Sequence, residues 1–183
     1  MVNKNQIEKD MLKILEVVKN AQENMYAKCD LKFENFSPED ESSEYYAHTF
    51  TITGKKGLFR IAKKTPTKSG WFVTIWKRGS DNIITPYKES DDIDFVVVAI
   101  YDDKNIGEFV FPKTILTQKN IFSANGKEGK RAIRVYTPWD KTTSSQAEKT
   151  RQWQSQFFVN LDSSCLESNL RINNFYSKIF LLP

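Results

Sequence analysis

The run FVVVAIYDDKNIGEFVF, residues 95–111, decides how the rest of the chain is read. Phe95 to Tyr101 is apolar at both parities, the mark of a strand covered on two faces, whereas a strand with one wet face alternates. Asp102 to Asn105 supplies turn residues and Gly107 to Phe111 returns as a second apolar run. The segment therefore predicts a hairpin in the middle of a sheet. Toward the amino terminus, Tyr45 to Thr53 alternates, with Tyr46, His48, Phe50 and Ile52 on one face and Ala47, Thr49 and Thr51 on the other. Gly54 to Gly57 makes a tight turn. Leu58 to Lys64 and Gly70 to Arg78 follow as strands joined by 65–69, where Pro66 cannot donate to a ladder. Three consecutive strands with short links predict an antiparallel meander.

Helices frame this sheet. Ile7, Met11, Ile14, Leu15, Val18, Ala21 and Met25 recur at three and four, which predicts an amino-terminal amphipathic helix. Asn35 to Glu44 holds Pro38 and four acids and reads as a solvated loop. Pro112 opens a short helix to Thr117, Ser123 to Lys130 is a loop rich in Gly and Lys, and Arg131 to Tyr136 alternates as a strand. Ser145 and Glu148 have capping-box spacing before a helix whose Ala147, Thr150, Trp153, Phe157 and Leu161 line one side. From Asp162 onward, Phe175, Tyr176, Ile179, Phe180, Leu181 and Leu182 can dock as a final element. The expected fold is α+β: an antiparallel, curved or barrel-like sheet flanked by amino- and carboxy-terminal helices. One domain spans 1–183, with a helical region 1–44, a core 45–161 and an extension 162–183.

Composition limits the function. The chain has 183 residues, 39% hydrophobic and 27% charged, as in a folded globular protein. No apolar run approaches the roughly 20 residues of a bilayer span, and Met1 to Asp10 has no apolar stretch of the signal-peptide kind. Cys29 and Cys165 form no CxxC pair, so no disulfide framework or zinc site is suggested and a reducing cytoplasm is expected. Net charge is only +4, from 27 Lys and Arg against 23 Asp and Glu, but it is unevenly distributed. Residues 54–80 contain eight basic side chains and no acid, between acidic stretches at Glu39 to Glu44 and Glu89 to Asp94.

Little in the chain points to catalysis. His48 is the single histidine and shares parity with Phe50 and Ile52, which fits a half-buried imidazole with a hydrogen-bond partner. GxSxG, GxGxxG and Walker patterns are absent. A metal-dependent nuclease needs converging carboxylates, and Asp91, Asp92, Asp94, Asp102, Asp103 and Glu108 are numerous enough, but most sit in apparent turns. Glu128 and Lys130 have the Glu-x-Lys spacing of restriction-type nucleases, in a glycine-bearing loop rather than a strand. No catalytic residue, metal ligand or cofactor is assigned.

The basic block offers more. In Leu58 to Lys64, Phe59 and Ile61 can face a core, which leaves Arg60, Ala62 and Lys64 outside. In Trp71 to Arg78, the face bearing Phe72, Thr74, Trp76 and Arg78 is opposite Trp71, Val73 and Ile75. Pairing of these strands would set cations beside Phe72 and Trp76, and cations match phosphates while rings stack on unpaired bases. Lys127, Lys130, Arg131 and Arg134 can extend that surface.

At these residues a resemblance enters. Phe59, Arg60, Ala62, Lys63, Thr65 to Lys68, Gly70, Phe72, Val73, Trp76 and Lys77 resemble the MepB family of bacterial proteins. So do Gly107, Phe109, Phe111 to Lys113, then Gly129, Lys130, Ala132, Arg134 to Tyr136, Pro138 and Trp139, and lastly Gln152 to Gln154. The match runs from about Tyr46 to Phe158, inside the core 45–161. MepB-like proteins are small and cytoplasmic, and the family takes its name from a gene beside a multidrug efflux pump and its regulator. The resemblance implies a mixed α/β domain similar to the DNA-recognition pseudobarrels of some restriction enzymes.

The expected function is therefore nucleic-acid binding, DNA first, through Arg60, Lys63, Lys64, Lys68, Lys77, Arg78, Lys130, Arg131 and Arg134, with Trp76 as a stacking platform. Two other readings stay open: a Mg²⁺-dependent nuclease, and a non-catalytic binder of an acidic partner.

Overall fold

A computed structural model of the chain describes residues 4–79, 81–102, 104–161, 170–174 and 176. Asp103, Cys165, Phe175, Ile179, Phe180, Leu181 and Leu182 lie outside the described residues, as does most of the 162–183 extension. Helix α1 (Lys4–Ala27) precedes β1 (Glu34–Pro38), β2 (His48–Ile52), β3 (Lys55–Ile61), β4 (Lys63–Thr65), β5 (Lys68–Thr74), β6 (Trp76–Arg78) and β7 (Ile84–Pro86). Then come β8 (Phe95–Tyr101), β9 (Ile106–Pro112), α2 (Lys113–Gln118), β10 (Ala132–Val135), α3 (Ser145–Gln154) and β11 (Phe158–Asn160).

The strands form a six-stranded sheet in the order β1-β2-β3-β8-β9-β11, a three-stranded sheet β10-β5-β4 and a two-stranded ribbon β6-β7. The 95–111 hairpin is seen as read: β8 and β9 pair from Phe95↔Pro112 to Tyr101↔Ile106, and Asp102 accepts the turn amides of Lys104 and Asn105. Both faces of β8 are covered. Val96, Val98 and Ile100 face the three-stranded sheet's Trp71, Val73, Ile133 and Val135, together with Leu116 of α2. Phe95, Val97 and Ala99 face Val18, Met25 and Tyr26 of α1 and the segment holding Ile172 and Tyr176. Each of these buried side chains contributes about 1.5–3 kcal/mol if large and apolar, so the central sheet is the organising layer of an α+β fold with flanking helices.

The antiparallel, barrel-like expectation is corrected in two respects. β3 pairs with β8 in parallel, Gly57↔Phe95 to Ile61↔Ala99, because the chain leaves β3, builds both smaller sheets and only then returns. The six-stranded sheet is also open, with β1 and β11 at its edges among the described residues. The meander therefore breaks after β3, and the pairings β2-β3 and β4-β5 belong to different sheets.

Three local readings change as well. The segment 35–44 is not all loop: β1 pairs β2, with its exposed positions on a sheet edge and Phe36 stacked on His48 at 4.3 Å. The α3 cap is Ser144, whose hydroxyl accepts from the Ala147 amide at 3.1 Å, while Glu148 pairs with Arg151. That helix ends at Gln154, so Phe157 lies in a 3₁₀ turn, and Leu161 follows strand β11, which pairs with β9. No helix among the described residues is long and apolar enough to cross a membrane.

Candidate nucleic-acid interface

The site grows from the β4-β5 hairpin and β10. Phe72 stands opposite Lys63 on one side and Arg134 on the other, so the three share the outer face of the small sheet. Their neighbours Trp71, Val73, Ile133 and Val135 point inward and are buried. The Arg134 guanidinium lies 5.8 Å from the Phe72 ring centroid, and the Lys63 ammonium lies 5.0 Å from that of Tyr45, which meets Phe72 edge-on at 6.1 Å. Partial burial lowers the Lys63 pKa, with Glu44 acting in the opposite sense.

Beyond Arg134 the face deepens into a groove of about 730 Å³, walled by the β4-β5 loop and β10 on one side and by α3 and Lys119 on the other. Lys68, Lys119, Lys130 and Arg134 line it with Tyr136 and Trp153, and none of its 17 lining residues carries a carboxylate. No ion pair involves these four cations among the described residues. Arg134 instead donates to the Ser69 and Gly70 carbonyls and to the Thr65 hydroxyl, which fixes it at the groove wall. Lys119 lies 5.3 Å from the Trp153 ring centroid.

Two short-range constraints hold this wall in place. Gln154 is buried; its carbonyl oxygen accepts from the Tyr136 amide at 2.9 Å and its amide donates to the Arg134 carbonyl at 3.1 Å, which ties the end of β10 to α3. Gly129 packs against the backbone of 121–123, where a β-carbon would come within 2.3 Å of the Ile121 carbonyl oxygen, and so it sets the path of Lys130. Like charges lining one concavity with no carboxylate among them reinforce one another's field.

Of the expected site residues, the structure brings Lys68, Lys130 and Arg134 together in the groove, with Lys63 beside them. The others go elsewhere. Arg60 is 1% exposed, because β3 is covered on both faces, and its guanidinium pairs with Glu39 at 2.5 Å instead of reaching solvent. Lys64 lies over the Trp71 ring and pairs with Asp102 at 3.4 Å, and Lys77 pairs with Asp91 at 2.5 Å. Arg78 pairs with Glu41 over the half-buried Trp76 ring, and Arg131 pairs with Glu128 at 2.7 Å. Trp76, Lys77 and Arg78 belong to the β6-β7 ribbon rather than to the β4-β5-β10 face. The sequence pattern gives Lys119 and Tyr136 no groove role and places Trp153 on a packed helix face; the one signal for Tyr136 and Trp153 is their place in the family-like motifs.

The described acids that a nuclease would need each have local partners. Asp91 and Asp94 accept backbone amides of Lys88 and Lys56, Asp92 pairs with Lys56, and Asp102 closes its turn. No group of three His, Cys, Asp or Glu side chains is placed to hold a metal ion among the described residues. Glu108 is fully buried and accepts from Tyr26 and from Gln22 of α1; burial raises its pKa to about 7 against the lowering effect of those two bonds. His48 is half-buried, 3.0 Å from the Tyr46 carbonyl through Nδ1, and burial lowers its pKa.

Fold and groove together define an α+β protein with a basic groove beside its small sheet. The chain belongs to the MepB-like family, whose model matches residues 39–160. It is similar to MepB, whose crystal structure aligns at a TM-score of 0.70 and 33% identity, over 72% of this chain and 88% of that one. A bacterial homing endonuclease aligns at a TM-score of 0.44 and 15% identity, over 75% of this chain and 86% of that one. None of the curated proteins compared with the chain matches it.

Proposed function

We propose that this protein binds nucleic acid, DNA in the first place, by seating phosphates in the groove between β10, the β4-β5 loop and α3. The observation that carries the reading is the set Lys68, Lys119, Lys130 and Arg134, gathered from separate segments onto one concavity without a carboxylate among its lining residues. A core interior does not need such a cluster, and a surface built only for solubility intersperses both signs. Lys63 and Phe72 extend the face beyond Arg134. In this reading, the DNA-recognition role expected of a pseudobarrel is performed by the small sheet and its groove, not by the central sheet. The β6-β7 ribbon, whose cations are already neutralised, contributes little.

A salt titration of binding tests this. Four phosphate contacts predict a log-log slope of about -3.6 on a duplex and about -2.8 on a single strand, from about 0.9 and 0.7 per contact. A flat slope contradicts the proposal. Displacement of the nucleic acid by an acidic peptide at equal charge favours the acidic-partner reading, and nicking of plasmid in Mg²⁺ or Mn²⁺ favours the nuclease reading.

A further inference from the structure

Resting on the nucleic-acid reading above, we infer that the groove accommodates one unstacked nucleotide of a strand, its base on the Tyr136 ring and the strand's flanking phosphates on Lys68, Lys130 and Arg134. Size is the first argument. At about 730 Å³ the groove falls within the range of about 300–1,000 Å³ typical of small-ligand sites. It suits a nucleotide better than the broad, shallow track along which a duplex backbone lies.

The ring is the second argument. A base inside a duplex offers only its edge, so a ring can stack on a base only where that base is unpaired or extruded. Tyr136 is half-buried and lines the groove, with its ring laid against Gly70 and its amide held by Gln154. The platform is therefore fixed before anything binds. Phe72 is a poorer candidate, being covered by the Arg134 guanidinium and the Tyr45 edge.

The third argument is the placement of charge around that ring. Arg134 precedes Tyr136 by two residues on the same face, Lys68 opens the neighbouring strand β5, and Lys130 enters just ahead of β10. On the opposite wall, the side chain of Gln146 is exposed and its amide has both donor and acceptor capacity for a base edge. A phosphate-only site needs neither the ring nor the amide.

The test compares a short fluorescein-labelled oligothymidylate with a blunt duplex of equal length, at one salt concentration, for the intact protein, Tyr136→Leu and Lys68→Glu. The strand is expected to bind about tenfold or more tighter than the duplex. Tyr136→Leu should weaken strand binding by about 5- to 150-fold, the value of one base stack, and leave duplex binding within about twofold. Lys68→Glu, at the exposed start of β5, should weaken both and serves if Tyr136→Leu fails to fold, as judged by circular dichroism. Competition by thymidine 5′-monophosphate at the strand's own concentration would keep the chemistry and assign the groove to a free nucleotide. Equal binding of strand and duplex, or no effect of Tyr136→Leu on a folded protein, overturns the inference and leaves the nucleic-acid reading standing. No binding of either probe overturns that reading itself.

Discussion

Tyr136 occupies the space that Gly70 leaves empty: a β-carbon at residue 70 would stand 2.6 Å from Cδ1 of the tyrosine ring and 2.8 Å from the Val135 carbonyl oxygen. Gly70 also has φ of +75°, a conformation that side chains disfavour. Gly70→Ala is therefore expected to lower stability by about 1–3 kcal/mol, read as a lower urea midpoint with unchanged slope. It should also weaken oligonucleotide binding, because the ring must move. An unchanged midpoint would contradict this packing.

Arg60 gives a different prediction, since it sits inside the protein with Glu39, whose other oxygen accepts from Tyr87 at 3.0 Å. Arg60→Met removes the ion-pair partner of that half-buried carboxylate and is expected to lower stability by about 1–3 kcal/mol. Lys68→Ala, at the exposed start of β5, should stay within about 0.5 kcal/mol of the parent. Denaturation of the two variants side by side checks the contrast, and the reverse order would place Arg60 at the surface after all.

Glu108 makes stability depend on pH. Its folded pKa of about 7 lies above that of an unfolded glutamate, so the folded state holds a proton that the unfolded state has lost. Its contribution is fully present below about pH 4.3 and is lost as pH rises toward about 7. Glu108→Gln keeps a neutral group among Gln22, Tyr26 and Tyr176 at every pH. The stability of the parent relative to Glu108→Gln should therefore fall between those limits and level off above them. A flat difference would show that Glu108 titrates as an exposed acid.

How much of this was legible in the sequence follows from how local each signal is. The β8-β9 hairpin, α1 and the short helix after Pro112 depend on periodicity and turn residues close in the chain, and all three are where the pattern places them. Arg60 departs from the alternation, which predicts one wet face, because β3 is covered on both faces. The parallel β3-β8 pairing depends on a long excursion that no local pattern encodes.

The groove was half legible for a related reason. Residues 54–80 lack acids along the chain, but folding returns Asp102, Asp91 and Glu41 to Lys64, Lys77 and Arg78. Charge segregated in sequence is thus not segregated in space. Lys68, Lys130 and Arg134 escape this pairing, and Lys119 joins them from the end of α2, a neighbour that only the tertiary fold reveals.

The salt dependence of nucleic-acid binding, compared between two double variants, tests the groove most directly. Lys68→Ala with Lys130→Ala removes two unpaired groove cations, and Lys77→Ala with Arg78→Ala removes two paired ribbon cations. The first should reduce the magnitude of the log-log slope by about 1.8 on a duplex, at about 0.9 per lost contact, and the second should leave it unchanged. A slope lost with the ribbon pair and kept with the groove pair would contradict the account.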